Sequence, residues 1–276
     1  MYREWEIVKW DGEACRPTVD RIVEEFPLTV VLDGWELATL LCSPDGLEDL
    51  VTGFLAAEGV IKSFEDLKAL DIDMVRQTAT VQTRDGFDSG AAERLLYKPT
   101  ITSGCAGGSA VNIRDLASIP PVTGEAAIAA ERLIGLMAQF QKRAVTFRET
   151  GGTHAAGLVI QEEIFAFYED IGRHNAVDKV LGCGLRRSLE LSCAIVLSSG
   201  RLSSEAVLKA ARMRVPIVVS KSAPTVYAVE VAVRLGVTVV GFARGRRMNI
   251  YSLPHRIKCA RTRILPSMWK YNVRAD

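Results

Sequence analysis

Only three of the 276 residues are histidine (His154, His174 and His255), and no two cysteines stand three apart. A deaminase-type zinc site needs H-x-E together with P-C-x-x-C, yet His154 is followed by Ala-Ala and His174 by Asn-Ala, so no metal site is expected. G-x-G-x-x-G and G-x-x-x-x-G-K-[ST] are also lacking, which excludes the common glycine-rich dinucleotide and triphosphate loops. Apolar runs such as CAIVL at 193–197 fall far short of the roughly 20 residues that a membrane-spanning helix needs. The start, MYREWEIVKWDGE, has no apolar h-region and does not read as a secretory signal. Six cysteines are scattered through a chain too long to need disulfide staples. The expectation is a reduced, cytoplasmic protein with no membrane and no nucleic-acid partner.

The chain is 48% hydrophobic and 24% charged, enough to bury a real core in one large domain or two ordinary ones. Its net charge of +1 hides an asymmetry. Residues 241–276 hold nine Lys/Arg and one acid, while residues 1–240 hold 25 Lys/Arg and 32 acids. A basic end on an acidic body points to an anionic partner for that end.

LTVVLDGWELATLLC (28–42) reads as a hairpin, two apolar runs turning at Asp33-Gly34. A helix is expected over 43–60, with Leu47, Leu50, Val51, Phe54 and Leu55 on one face. Short strands follow near 69–75 and 77–83. IPPVTG (119–124) breaks the chain and suggests a boundary, giving units of 1–120 and 121–276. A helix over 124–141 then leads into an alternating series. Strands are expected at 154–160, 164–170, 193–199, 216–220 and 237–243, and helices at 175–183, 203–213 and 224–235. β-Branched strands between helices imply a sheet covered on both faces.

Ligands of such sheets sit where strands end and helices begin. Three turns have that form: EDIGRHNAVDK, SSGRLSSEAVLK and SKSAPTVYAVE. Ser203, Ser204 and Thr225 can each cap a helix start, and Arg173 and Arg201 stand near free helix N–H groups, a setting for an anion. His154 and His174 could act as bases or as ligand donors. Cys183 and Cys193 sit among apolar neighbours and read as core. Cys105 differs: in TSGCAGGSA its sulfur has only small neighbours, which favours an exposed, reactive thiol.

GGTHAAGL, DIGRHNAVDKVLG, SSGRLSSEAVLKAA, the long run SKSAPTVYAVEVAVRLGVTVVGFARGRRMNIY and the glycine-cysteine loop together resemble the formate dehydrogenase accessory sulfurtransferase family, FdhD. The blocks are collinear from about residue 26 to 256. The resemblance implies an α/β fold: a C-terminal three-layer α/β/α cytidine-deaminase-like domain without zinc, and a smaller N-terminal α+β domain ending in the cysteine loop. It implies a cytoplasmic homodimer that takes persulfide sulfur from a cysteine desulfurase. The sulfur passes to the molybdenum cofactor of formate dehydrogenase, in its bis-(molybdopterin guanine dinucleotide) form. Cys105 would carry the persulfide as the first cysteine of a C-x-x-C loop whose second position here is Gly108. Phe242, Ala243, Arg244, Gly245, Arg246 and Arg247 match a cofactor-binding stretch, and GDP-like nucleotides are expected to bind. Arg173, His174, Arg201 and Ser203 join them as candidate ligand residues, and Asp178 or Glu205 could meet a guanine's N–H donors. Two rivals stand beside this: a cofactor-binding maturation chaperone without sulfur transfer, which Gly108 suggests, and a cysteine hydrolase pairing Cys105 with His154 or His174.

Overall fold

The structure, a computed structural model, describes residues 1–86, 116, 119–124 and 126–259. The chain opens with two antiparallel strands, β1 (Tyr2–Trp10) and β2 (Cys15–Val23), which form a sheet of their own. β3 (Phe26–Leu32) and β4 (Trp35–Cys42) then pair as the expected hairpin. Asp33 and Gly34 both take positive φ, 46° and 86°, which lets two residues close the turn with the twist that paired strands require. β5 (Leu67–Asp73) and β6 (Thr78–Thr83) complete a four-stranded sheet of order β4-β3-β6-β5. Between β4 and β5 lies α1 (Leu47–Glu58), ended by Gly59 in the left-handed region.

A short strand β7 (Ile128–Ala129) precedes α2 (Ala130–Arg143) and α3 (Val145–Thr150). The rest alternates: β8 (His154–Ile160), β9 (Glu163–Asp170), α4 (Arg173–Arg186), β10 (Ile195–Ser198), α5 (Ser204–Arg212), β11 (Ile217–Ser220), α6 (Val226–Leu235), β12 (Thr238–Arg244), β13 (Arg247–Ile250) and β14 (Ile257–Lys258). Six of these strands form one mixed sheet, β13-β12-β11-β10-β8-β9, in which β10, β11 and β12 run parallel. The expected helix over 124–141 begins only at Ala130, because Ile128–Ala129 instead pairs in parallel with β14.

Alternation along the strands fills both faces of the six-stranded sheet. Ile195, Leu197, Ile217, Val219 and Val240 pack with Leu133, Leu136, Met137 and Phe140 of α2. Val196, Val218 and Val239 point the other way and join α4, α5 and α6. That second cluster continues without a break into Leu28, Val30, Leu50 and Leu55 of the N-terminal unit.

α1 and α4 meet very closely. A Cβ at Gly53 would lie 1.9 Å from the Asp178 carbonyl, and one at Gly182 would lie 1.9 Å from that of Asp49. Only glycine allows that crossing. Cys183 is buried as expected, but Cys193 is exposed. It closes a 3-10 turn, Leu191–Cys193, just before the strand alternation that buries Ile195 begins.

Candidate functional site

β9 runs in the same direction as β10, because both pair antiparallel with β8. The carboxyl ends of β9, β10, β11 and β12 therefore share one edge, where α4, α5 and α6 start. A cavity of about 240 Å³ opens there. One wall comes from Thr39, Leu40 and Leu41 of β4 with Phe54 and Glu58 of α1. The other holds His154, Gly172, Arg173, His174, Asp178, Glu205 and Lys209.

Neither helix start at this cavity is capped by a side chain of its own N-cap residue. α4 follows Gly172, which offers none, and at α5 the Ser203 hydroxyl lies 3.2 Å from His174 Nε2 instead of reaching back to its own helix. The expected cap is thus given up to position a histidine. Thr225 does cap α6, accepting from Ala228 N at 3.2 Å, and Ser204 is the first residue inside α5. Without a cap bond from the N-cap side chain, the dipoles of α4 and α5 leave their starts partly positive.

His174 is held from three sides. Arg173 Nε, which can only donate, approaches its Nε2 at 3.3 Å, so that nitrogen is the acceptor and the proton sits on Nδ1. Nδ1 then donates to Glu205 Oε2 at 3.2 Å. Burial, with Lys209 and Arg173 adding repulsion, drives the His174 pKa down to about 3, so the ring is neutral. Glu205 moves oppositely: burial pushes its carboxyl up to about 7, Lys209 opposes, and Asp178 and Glu58 add to the rise. Its side chain is only 9% exposed, and His174 is its hydrogen-bond partner among the described residues. Asp178 is committed elsewhere, both oxygens accepting from Lys209 Nζ at 2.7 and 2.6 Å. Of the two carboxylates considered for a guanine, Asp178 has each oxygen engaged by Lys209, whereas Glu205 has the His174 contact through one oxygen among the described residues.

A buried network supports this arrangement. Lys179, fully buried, donates to Asp170 Oδ2 at 2.7 Å, Asp45 Oδ1 at 3.1 Å and the Ser43 carbonyl at 3.1 Å. Asp170 also accepts from Ser43 N, Gly172 N and Asn175 Nδ2, and Asn175 donates to the Leu41 carbonyl at 2.7 Å. The end of β4 is thereby tied to the turn that starts α4. His154 stands at the same edge with Nδ1 3.4 Å from Ser199 Oγ, and burial, Arg173 and Lys221 lower its pKa.

The remaining sequence candidates lie apart from this cavity. Phe242 adopts φ 52° at a bulge and donates its N–H to the Ser222 carbonyl, while Ala243 is buried in the α2-side core. Arg244 lies over the Phe242 ring at 5.9 Å. With Gly245 it lines a second cavity of about 500 Å³, floored by Ile134 and Met137 and rimmed by Lys142 and Arg148. Arg246 and Arg247 are exposed at the β12–β13 turn, and Arg201 is exposed outside both cavities. Cys105 and Gly108 lie outside the described residues, as does most of the basic end, 260–276. Among the described residues no group of three or more His, Cys, Asp or Glu side chains is placed to hold a metal, and no helix is long and apolar enough to cross a membrane. Sequence reasoning missed Lys209, Lys179 and Asp170. The signal for Lys209 was present, since it stands four residues after Glu205 on the same helix, as Asp178 does after His174.

Comparison with known proteins places this geometry in context. The chain is 40% identical over 240 residues to a protein of Geobacillus kaustophilus named sulfur carrier protein FdhD, covering 86% of this chain and 90% of that one. It is 42% identical over 239 residues to a Bacillus pumilus protein of the same name, with the same coverage of each chain. A crystal structure from Desulfotalea psychrophila, of a protein proposed to be a formate dehydrogenase accessory protein, shares the fold with a TM-score of 0.77 at 23% identity, covering 93% of this chain and 99% of that chain. A family model described as FdhD/NarQ matches residues 23–258, which span the four-stranded sheet, the six-stranded sheet and both cavities. On that match and those identities, the chain belongs to the FdhD/NarQ family.

Proposed function

We propose that this chain is a cytoplasmic, homodimeric sulfur carrier that serves formate dehydrogenase maturation. It takes persulfide sulfur from a cysteine desulfurase and delivers it to a bis-(molybdopterin guanine dinucleotide) molybdenum cofactor. In the loading step the Cys105 thiolate attacks the outer sulfur of the donor's cysteine persulfide, and the donor cysteine leaves as its thiolate. The names of the relatives support the carrier role, and Gly108 favours a second reading in which the chain binds the cofactor without moving sulfur. The hydrolase alternative is disfavoured for His174, because both of its nitrogens are engaged and its low pKa makes it a poor base. The finer architecture we propose is cytidine-deaminase-like: helices α2 on one side and α4–α6 on the other, with ligand chemistry at uncapped helix starts and no zinc.

One observation carries the ligand side of the reading: Glu205, nearly buried at the cavity edge, retains acceptor capacity beside Arg173 and the α4 start. A carboxylate there suits the paired N–H donors of guanine, and Arg173 with the helix N–H groups suits phosphate. Arg244, at the second cavity, suits a further anionic part of the cofactor.

Two measurements test the reading separately. Incubation with a cysteine desulfurase and cysteine should add the mass of one sulfur atom to Cys105, and Cys105→Ala should abolish it; no adduct on the wild type would leave only the chaperone reading. Calorimetry should show GDP binding and much weaker ADP binding. Charge-assisted hydrogen bonds to phosphate are worth about 1.5–3 kcal/mol, so Arg173→Ala should weaken GDP roughly 10- to 100-fold without changing the base preference. Equal or absent binding of both nucleotides to folded protein would remove the cofactor-site assignment.

A further inference from the structure

His154 lines the strand-end cavity, yet the functional reading above gives it no role. It opens β8, whose antiparallel run brings its first residue to the edge where β10 and β11 end. Three basic side chains gather there around the turn 198–200. The Ser199 hydroxyl lies 3.4 Å from His154 Nδ1. Arg173 packs along Gly200, where a Cβ would stand 3.0 Å from that of Arg173. Lys221 donates its backbone N–H to the Ser198 carbonyl at 3.3 Å.

The Ser199 contacts fix where the imidazole proton sits. Ser199 Oγ accepts from Ala155 N at 2.8 Å, and Ser199 N donates to the Ala155 carbonyl at 2.9 Å, so the hydroxyl is held against β8. Its own proton has one acceptor among the described residues, His154 Nδ1. Burial, with repulsion from Arg173 and Lys221, lowers the His154 pKa against the pull of Asp170, so the ring is neutral. A neutral ring that accepts at Nδ1 carries its proton on Nε2. Nε2 has no hydrogen-bond partner among the described residues, and it is not sealed in: the buried side-chain nitrogen without a partner there is Arg186 Nε. His154 thus offers the cavity an open N–H donor. The same proton removes it as the base of a cysteine hydrolase, because a base needs a free lone pair.

We propose, on the guanine-nucleotide reading above, that His154 Nε2 donates to a phosphate oxygen of the nucleotide, beside Arg173 and the α4 start. Arg173 stands between the two ends of the cavity wall, a charged neighbour of Glu205 and of His154 alike. Lys209 and Asp178 lie on the Glu205 side, and Lys221 lies on the His154 side. A nucleotide with its base on Glu205 therefore sets its phosphates past Arg173, toward His154. An anionic oxygen gains from both cations there, and Asp170, the nearby acid, is already paired with Lys179 at 2.7 Å. A neutral donor serves that oxygen without adding a third charge to repel Arg173 and Lys221.

The test uses the full chain. His154→Phe keeps a flat ring and loses the donor, so calorimetry should show GDP weakened at least about tenfold, the loss expected for a hydrogen bond to a charged group. His154→Gln, whose amide can donate from the Nε2 position, should recover most of that affinity, which a purely structural ring would not allow. Imidazole ¹⁵N NMR of the wild type should show the His154 proton on Nε2 at neutral pH, with the signal identified among three histidines by its loss in His154→Phe. GDP should move the Nε2 resonance, and so should inorganic pyrophosphate, which has no base. Unchanged GDP affinity in His154→Phe, no recovery in His154→Gln, a proton on Nδ1, or a resonance that moves with GDP and not with pyrophosphate would overturn this contact while GDP binding by the wild type stands. A wild type that binds no GDP would overturn the guanine-nucleotide reading itself, and the contact with it.

Discussion

Glu205 couples the candidate site to pH. Its folded pKa, about 7, lies above the ordinary carboxylate value of 4.5, so folding favours the protonated form. The stability this lends is full below pH 4.5 and is lost as pH rises through 7. Glu205→Gln, which stays neutral, should gain stability over wild type between pH 5 and pH 8, by on the order of 3 kcal/mol at most. Denaturant titrations at the two pH values measure this; a constant difference would mean that Glu205 does not change its charge in that range. Ligand binding should run the other way, because only the carboxylate accepts two N–H donors. GDP affinity should rise roughly tenfold from pH 6 to pH 8 in the wild type and stay flat in Glu205→Gln.

At the scale of elements, the crossing of α1 over α4 decides how the cavity walls meet. Gly53 and Gly182 allow backbone to approach backbone, and a methyl group at either would strike a carbonyl oxygen at 1.9 Å. Gly53→Ala should therefore cost about 3 kcal/mol or more, since helices rather than a flexible side chain must shift. Gly135, inside α2, has open space where a methyl group would stand, with nothing within 4 Å among the described residues, so Gly135→Ala should stabilise by about 0.5–1 kcal/mol through helix propensity alone. Urea midpoints of the two variants moving in opposite directions would support this picture. Two similar small shifts would show that the crossing can relax.

At the scale of the molecule, Lys179 joins the N-terminal sheet to the helix layer. It binds Asp45 and the Ser43 carbonyl on one side and Asp170 on the other, with no exposed surface. Lys179→Met would strand the Asp170 charge in the interior, a loss of about 3–5 kcal/mol. Asp170 also holds Gly172 and Asn175, so GDP binding should weaken as well, although Lys179 does not line the cavity. Calorimetry on folded Lys179→Met reads this; unchanged affinity would mean that the Leu41 wall holds its place without the network.

Much was legible in local pattern. Asp33-Gly34 set the hairpin, and the near-continuous apolar run HAAGLVI marked β8 as 154–160, the same bounds as the strand. These signals are local because turn geometry and side-chain period depend on neighbours in the chain. The clustering of three polar turns at one sheet edge also followed from strand–helix alternation. The ribbon was not legible: β1 and β2 expose both faces, so burial imposes no two-residue apolar period on them. The start of α2 was misplaced because residues 128–129 pair with 257–258, a contact no window contains. Ser203 turned from its helix to His174, and Asp178 was claimed by Lys209 while Glu205 was not. The residue types needed for the site were present in the sequence. Which carboxylate a lysine holds, which histidine is neutral and which arginines share a cavity depend on burial and on partners distant in the chain, and only the tertiary structure decided them.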